Sequence, residues 1–187
     1  MKGEPIYCFP EFIEVLSSIR RDSTTFVETG TSGGHGVKCA LFAGFEKIYS
    51  MEIHEDVYNN TIKIFQDAEE PLGTKMFLYL GDSKTILPKI LELIPKDEPS
   101  VFFLDAHDHI YGVSAYKELD IIATHSLKNH TILIDDIPLY FGDGSELKKV
   151  LLGINPEYKF EFVDCEIRKR NPLPGLTGID IRLLAYV

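Results

Sequence analysis

Five short apolar runs, each closed by an acidic residue, constrain this chain more than any other feature of its sequence. They cover residues 25–27 before Glu28, 48–51 before Glu52, 76–81 before Asp82, 101–104 before Asp105 and 131–134 before Asp135. The last two runs are continuously apolar rather than alternating, the pattern of strands buried on both faces of a parallel sheet. Segments with helical periodicity lie between the runs. Residues 9–20 place Phe9, Phe12, Ile13, Leu16 and Ile19 on one face, 55–66 do so with Val57, Tyr58, Ile62 and Phe65, and 83–94 with Ile86, Leu87, Ile90, Leu91 and Ile94. Strand–helix alternation predicts a doubly wound α/β sheet with right-handed crossovers. Past residue 145, a helix over 146–152 and two strand-like runs, 158–165 and 179–187, are expected to add an antiparallel C-terminal edge, joined through the turn-rich stretch 171–178. With 187 residues, no internal repeat and no second apolar cluster, a single domain over 1–187 is expected.

Charge and cysteine usage narrow the function classes. Nineteen Lys and Arg against 29 Asp and Glu leave a formal charge of −10, which disfavours nucleic acid and anionic membrane as partners. No run approaches the ~18 apolar residues of a membrane span. The opening MKGEPIYCFPEF lacks the apolar centre of a signal peptide. Cys8, Cys39 and Cys165 are odd in number and widely spaced, which fits a reducing compartment rather than a disulfide framework, so a cytoplasmic location is expected.

In open α/β sheets ligands bind beyond the carboxyl ends of the strands, at the point where strand order reverses. A single acid after a strand has an ordinary explanation as a helix N-cap, and Asp82 or Ser83 fits that role. Five in succession would collect negative charge along one edge, which polyol hydroxyls, a cationic ligand or a metal would relieve. The first strand–helix junction holds Gly30, Gly33, Gly34 and Gly36 within seven positions, letting the backbone turn sharply and pass close to a ligand. The glycines do not form the dinucleotide pattern, because position 39 is Cys39, and no Gly-Lys-Ser/Thr follows as in a P-loop. A purely structural turn remains open. Glu52 lies 22 positions after Gly30, where a carboxylate can accept both hydroxyls of a ribose; alternatively it initiates the helix that follows. Together these features point to an adenosyl ligand whose phosphates are absent or unimportant.

At these residues the chain resembles the class I S-adenosylmethionine-dependent methyltransferases, through Glu28-x-Gly30-x-x-x-Gly34, Glu52, Gly81-Asp82-Ser83 and Asp105 taken in order. The resemblance implies a Rossmann-like seven-stranded sheet, mostly parallel with an antiparallel C-terminal edge strand. It also implies cofactor contacts from Glu28, Gly30, Thr31, Gly34, Gly36, Glu52, Ile53, Asp82, Ser83 and Asp105. Within that superfamily the chain is most similar to cation-dependent O-methyltransferases of the catechol type, through residues 81–88, Phe103-Leu104-Asp105 with Tyr111, and Ile134-Asp135-Asp136. By that likeness Asp105, Asp135 and Asp136 would hold a divalent cation, magnesium being the first choice. The lysine that catechol-type enzymes carry three residues after the metal aspartate is here Asp108, and the chain contains no Trp. Sugar and antibiotic O-methyltransferases use a histidine base near this position, which makes His107 or His109 the expected proton acceptor.

Methyl transfer to oxygen is an in-line displacement that needs alignment of the partners and removal of the acceptor proton. Magnesium takes oxygen ligands and polarises a chelated hydroxyl. Residues 105–143 carry seven acids against two bases, a suitable setting. Alternatively Asp135-Asp136 marks a strand-to-loop exit, and the two histidines are solvated or are themselves metal ligands. The expected function is S-adenosylmethionine-dependent, metal-assisted O-methylation of a small hydroxylated molecule. The alternatives are a non-catalytic adenosyl-binding module and a metal-dependent enzyme acting on the adenosyl ligand itself. An NAD dehydrogenase is disfavoured by the missing third glycine and the lack of a substrate domain.

Overall fold

The computed structural model describes residues 10–66, 74–108, 112–164 and 181–187. Cys8, His109, Tyr111, Cys165 and the expected connection 171–178 lie outside the described residues.

The expected alternation is present. The elements run α1 (Pro10–Arg20), β1 (Thr25–Thr29), α2 (His35–Phe42), β2 (Lys47–Glu52), α3 (Glu55–Gln66), β3 (Lys75–Leu80), α4 (Ser83–Leu93) and β4 (Val101–Leu104). They continue with β5 (His107–Asp108), β6 (Gly112–Val113), α5 (Ala115–Ile122), β7 (Thr131–Ile134), α6 (Ile137–Tyr140), α7 (Ser145–Ile154), β8 (Lys159–Asp164) and β9 (Ile181–Tyr186). Seven strands form one sheet in the order β3-β2-β1-β4-β7-β9-β8, and β5 and β6 form a separate small hairpin. Strands β3, β2, β1, β4 and β7 pair in parallel, while β9 runs antiparallel to both β7 and β8. The antiparallel C-terminal edge is thus built of two strands, with β9 inserted inside β8.

Continuous apolar runs become central strands because side chains of both parities need cover. Every residue of β1 and of β4 is buried. Phe26 and Phe103 enter one core with Phe12, Leu16, Val37, Phe45, Ile48 and Leu184, covered by α1, α2 and α3. Val27 and Phe102 enter the other with Leu87, Leu119, Ile132, Leu151 and Leu183, covered by α4, α5 and α7. Helix α5 was not delimited by the sequence. Its stripe of Ala115, Glu118, Leu119 and Ile122 is interrupted by a carboxylate, which masks the apolar face.

Strand order reverses between β1 and β4, since β2 and β3 lie to one side of that pair and β7, β9 and β8 to the other. The carboxyl ends of β1 and β4 therefore flank the crevice in which such sheets bind ligands. Among the described residues, no helix is long and apolar enough to cross a membrane.

Candidate active site

A cleft of about 330 Å³ opens at this switch point, a volume in the range of small-molecule sites. Gly30 and Ser32 after β1, Glu52, Ile53 and His54 after β2, and Gly81, Asp82 and Ser83 after β3 line one part of it. Asp105, Ala106 and His107 after β4, with Asp135 and Asp136 after β7, line the other. Of the residues expected from the sequence, Gly30, Glu52, Ile53, Asp82, Ser83, Asp105, His107, Asp135 and Asp136 thus come together on one wall system. His109 lies outside the described residues.

Gly30 has φ +85°, and a Cβ there would lie 2.6 Å from the Asp105 carbonyl oxygen. The ends of β1 and β4 approach so closely that only glycine fits between them. Glu52 is buried, and its carboxylate accepts the backbone N–H of Ser32 at 2.8 Å and that of His54 at 2.9 Å. It therefore ties the glycine loop to the end of β2. Each carboxylate oxygen keeps a further lone pair, so the group can hold the loop and still accept hydroxyls from the cleft. Asp82 caps α4, accepting the Lys84 N–H at 2.9 Å, so the ordinary N-cap explanation holds for this acid while it also lines the cleft.

Four expected cofactor contacts, Glu28, Thr31, Gly34 and Gly36, stand behind the cleft wall rather than in it. Glu28 lies within β1, not at its end, and is 2% exposed. Ser50 donates to its carboxyl at 2.6 Å, and a Cβ on Gly36 would lie 1.8 Å from the same carboxyl, so this glycine makes room for Glu28 at the start of α2. Burial pushes the Glu28 carboxyl up to about 8, the Ser50 hydrogen bond opposing and Glu52 adding. Near neutral pH Glu28 is mostly uncharged. Thr31 shares a 2.7 Å hydrogen bond with Ser50. Gly34, with φ +79°, faces Phe65, whose ring a Cβ would approach to 2.6 Å. The side of Gly34 where a Cβ would stand is filled by Phe65 and Thr61.

On the far side the geometry is ionic. His107 places Nε2 3.0 Å from Asp136 Oδ2 and Nδ1 3.5 Å from Asp105 Oδ1, and its ring packs against Tyr140 with centroids 4.6 Å apart. Asp136 occupies the left-handed region at φ 52°, uncommon for a residue with a side chain, and the structure holds it there at the site. Asp135 accepts from Arg182 Nη2 at 2.9 Å and from the Asp136 N–H at 2.8 Å. Burial raises the Asp105 carboxyl well above the usual carboxylate range, with Asp135, Glu28 and Asp136 adding and Arg182 opposing.

The three-aspartate magnesium site expected from the sequence is not assembled. Among the described residues no group of three or more His, Cys, Asp or Glu is arranged to hold a metal ion. Asp135 and Asp136 face protein cations or cation-capable groups instead of one another's open lone pairs.

Two residues at this site escaped the sequence reading. Arg182 is a lone charge in the apolar strand Ile181–Tyr186, and a charge that a strand buries must be paired; that interruption was the available signal. Glu118 sits fully buried on the apolar stripe of α5, and Thr29 donates to it at 3.1 Å. Burial raises its carboxyl to about 7, with hydrogen bonds from Ser83 and Thr29 opposing. It joins the end of β1 to the start of α4 beneath the cleft.

No family model matches the chain, and no curated protein matches it. Solved structures do. The O-methyltransferase TomG from Streptomyces achromogenes, involved in tomaymycin synthesis and crystallised with S-adenosylmethionine, superposes with a TM-score of 0.68 at 16% identity, over 97% of this chain and 82% of that one. An O-methyltransferase from Bacillus cereus in complex with S-adenosylhomocysteine gives 0.64 at 15%, over 98% and 84%. An rRNA methylase from Streptococcus thermophilus gives 0.60 at 13%, over 100% and 98%. At these identities the likeness shows a shared fold: this chain has the class I methyltransferase fold.

Proposed function

We propose that the protein binds S-adenosylmethionine in the cleft at the β1/β4 switch point and transfers its methyl group to an oxygen of a small hydroxylated molecule. One observation carries the reading. In the fold shared with two O-methyltransferases crystallised with the cofactor or its product, Glu52 lines the cleft together with Asp82 and braces the Gly30 loop.

The residues present fit the cofactor. Glu52 receives the ribose hydroxyls, charge-assisted bonds worth ~1.5–3 kcal/mol each. Ile53, Asp82 and Ser83, which line the same part of the cleft, would hold the adenine. Gly30 exposes backbone to the methionine part. Glu28, Thr31, Gly34 and Gly36 act on the cofactor through the loop they hold. When bound, the cofactor supplies an electrophilic methyl on sulfur. His107 would accept the proton of the acceptor hydroxyl as that oxygen takes up the methyl group. Asp136 orients the imidazole through Nε2 and leaves Nδ1 as the proton acceptor on the side of Asp105. The net charge of −10 keeps nucleic acid a disfavoured acceptor.

Calorimetric titration with S-adenosylhomocysteine tests the binding, and an acceptor panel of small alcohols, phenols and sugars tests the transfer. Saturable binding with turnover is the expected result. Binding without turnover on any acceptor returns the protein to a ligand-binding module, and no binding removes the reading.

A further inference from the structure

A site for magnesium needs carboxylate oxygens with lone pairs free to converge on one point. The ends of β4 and β7 offer the carboxylates but not the freedom. Both oxygens of Asp135 are engaged, Oδ2 by Arg182 Nη2 at 2.9 Å and Oδ1 by the Asp136 N–H at 2.8 Å. The imidazole of His107 lies between Asp105 and Asp136, with one ring nitrogen toward each, so it fills the space an ion bridging those two aspartates would need.

Arg182 is no adjustable surface residue. It is 6% exposed, and its guanidinium carbon lies 4.5 Å from the centroid of Phe12 in α1 and 5.6 Å from that of Phe103 in β4. Two aromatic rings and a carboxylate therefore fix a group that stays charged at every working pH. A buried carboxylate needs a partner, and the partner here is covalently part of β9. Strand β9 lies against β7 in antiparallel register, Leu183 opposite Ile134, which sets Arg182 one residue beyond the pair and level with the start of the Asp135 turn.

We propose that the acid cluster of the acceptor half is held by the protein's own groups, Asp135 by the Arg182 guanidinium and Asp136 by the Nε2 side of His107, in place of a divalent cation, so that this half of the cleft works without bound metal. The consequence for turnover deepens the methyl-transfer reading and rests on it; the charge arrangement itself does not. With no ion to polarise the acceptor hydroxyl, activation falls to His107, and Arg182 anchors the Asp135 carboxylate through the 2.9 Å ion pair.

The test uses the full chain and Mn²⁺ as a spectroscopic probe for magnesium, following free Mn²⁺ by electron paramagnetic resonance. The wild-type protein is expected to show no saturable binding below about 1 mM, weaker than dedicated carboxylate sites. Arg182→Met removes the guanidinium partner of Asp135 and opens its Oδ2, and this variant should bind Mn²⁺ at least about tenfold more tightly than wild type. Submillimolar binding to wild type that magnesium displaces and Asp135→Asn abolishes would overturn the proposal. So would a folded Arg182→Met with no gain in affinity. If that variant does not fold, the wild-type and Asp135→Asn titrations decide alone. S-adenosylhomocysteine affinity should be unmoved by chelator; chelator-sensitive affinity also overturns the proposal. Complete failure of S-adenosylhomocysteine to bind removes the methyl-transfer reading instead, leaving the Mn²⁺ result to stand by itself.

Discussion

On the β1–β3 side of the cleft, carboxylates are met by backbone. Glu52 accepts from Ser32 and His54, and Asp82 accepts from Lys84, whose exposed ammonium at 3.3 Å is screened by solvent. On the β4–β7 side, Asp135 and Asp136 meet the buried guanidinium of Arg182 and the ring of His107. Backbone N–H groups position a carboxylate and leave its charge to be shared with hydroxyls or a cationic ligand. A buried guanidinium satisfies the charge of Asp135 itself, and the His107 ring occupies the remaining side of Asp136. Under the proposed function the first side binds the cofactor, and the second orients the base. Equal-looking acids at successive strand ends have opposite uses because of what the third dimension brings to each.

The division can be broken most visibly at His107. His107→Ala should lower turnover ~10²–10⁴-fold, while S-adenosylhomocysteine affinity changes less than about threefold. A parallel fall in both would mean that the two sides do not act separately.

A second test asks whether acid sensitivity comes from the cleft at all. At the opposite end of the sheet, His130 is buried, accepts the Ser100 N–H at 3.0 Å, and lies 2.9 Å from the ring of His125. Burial, with His125 and Lys128 adding, pushes His130 down from 6.5 to about 4. Between those values the unfolded chain binds a proton that the folded chain refuses. Stability is therefore full above about 6.5 and falls as pH drops toward 4, by about 3 kcal/mol for this group at ~1.4 kcal/mol per unit. Denaturant melts of wild type and His130→Gln across that window should show the slope shrinking in the variant. An unchanged slope would place the acid sensitivity elsewhere, with the carboxylates of the cleft as the next suspects.

Glu52→Ala sharpens the binding side. Loss of the ribose acceptor and of the loop brace should weaken S-adenosylhomocysteine binding at least about tenfold, with turnover at saturating cofactor largely kept. Unchanged affinity in a folded variant would remove the ribose assignment. The smallest effect is expected at Gly34. Gly34→Ala should lose about 1–2 kcal/mol of stability through its left-handed backbone and the Phe65 ring. Cofactor affinity should fall only to the extent that the loop shifts. A variant of full stability that no longer binds would restore the direct ligand contact expected from the sequence.

The alternation of apolar runs and helical stripes decided the layer architecture before any coordinate, because a parallel sheet buries both faces of its central strands and the pattern must say so. The place of the cleft followed from the same order, since Gly30 follows β1, which flanks the reversal, and Glu52 ends the neighbouring β2. The sequence did not determine the use of each acid. Glu28 reads like the others, yet sits within β1, enclosed by Ser50 and Gly36, where burial raises its carboxyl to about 8. Asp135 looks like a metal ligand until Arg182, 47 residues later, arrives beside it on β9. Desolvation and ion pairing depend on which groups meet after the chain has folded, and residues that far apart become neighbours only through sheet pairing. Local periodicity fixes elements and their order; the charge state of a site is settled by long-range contacts that no local pattern encodes.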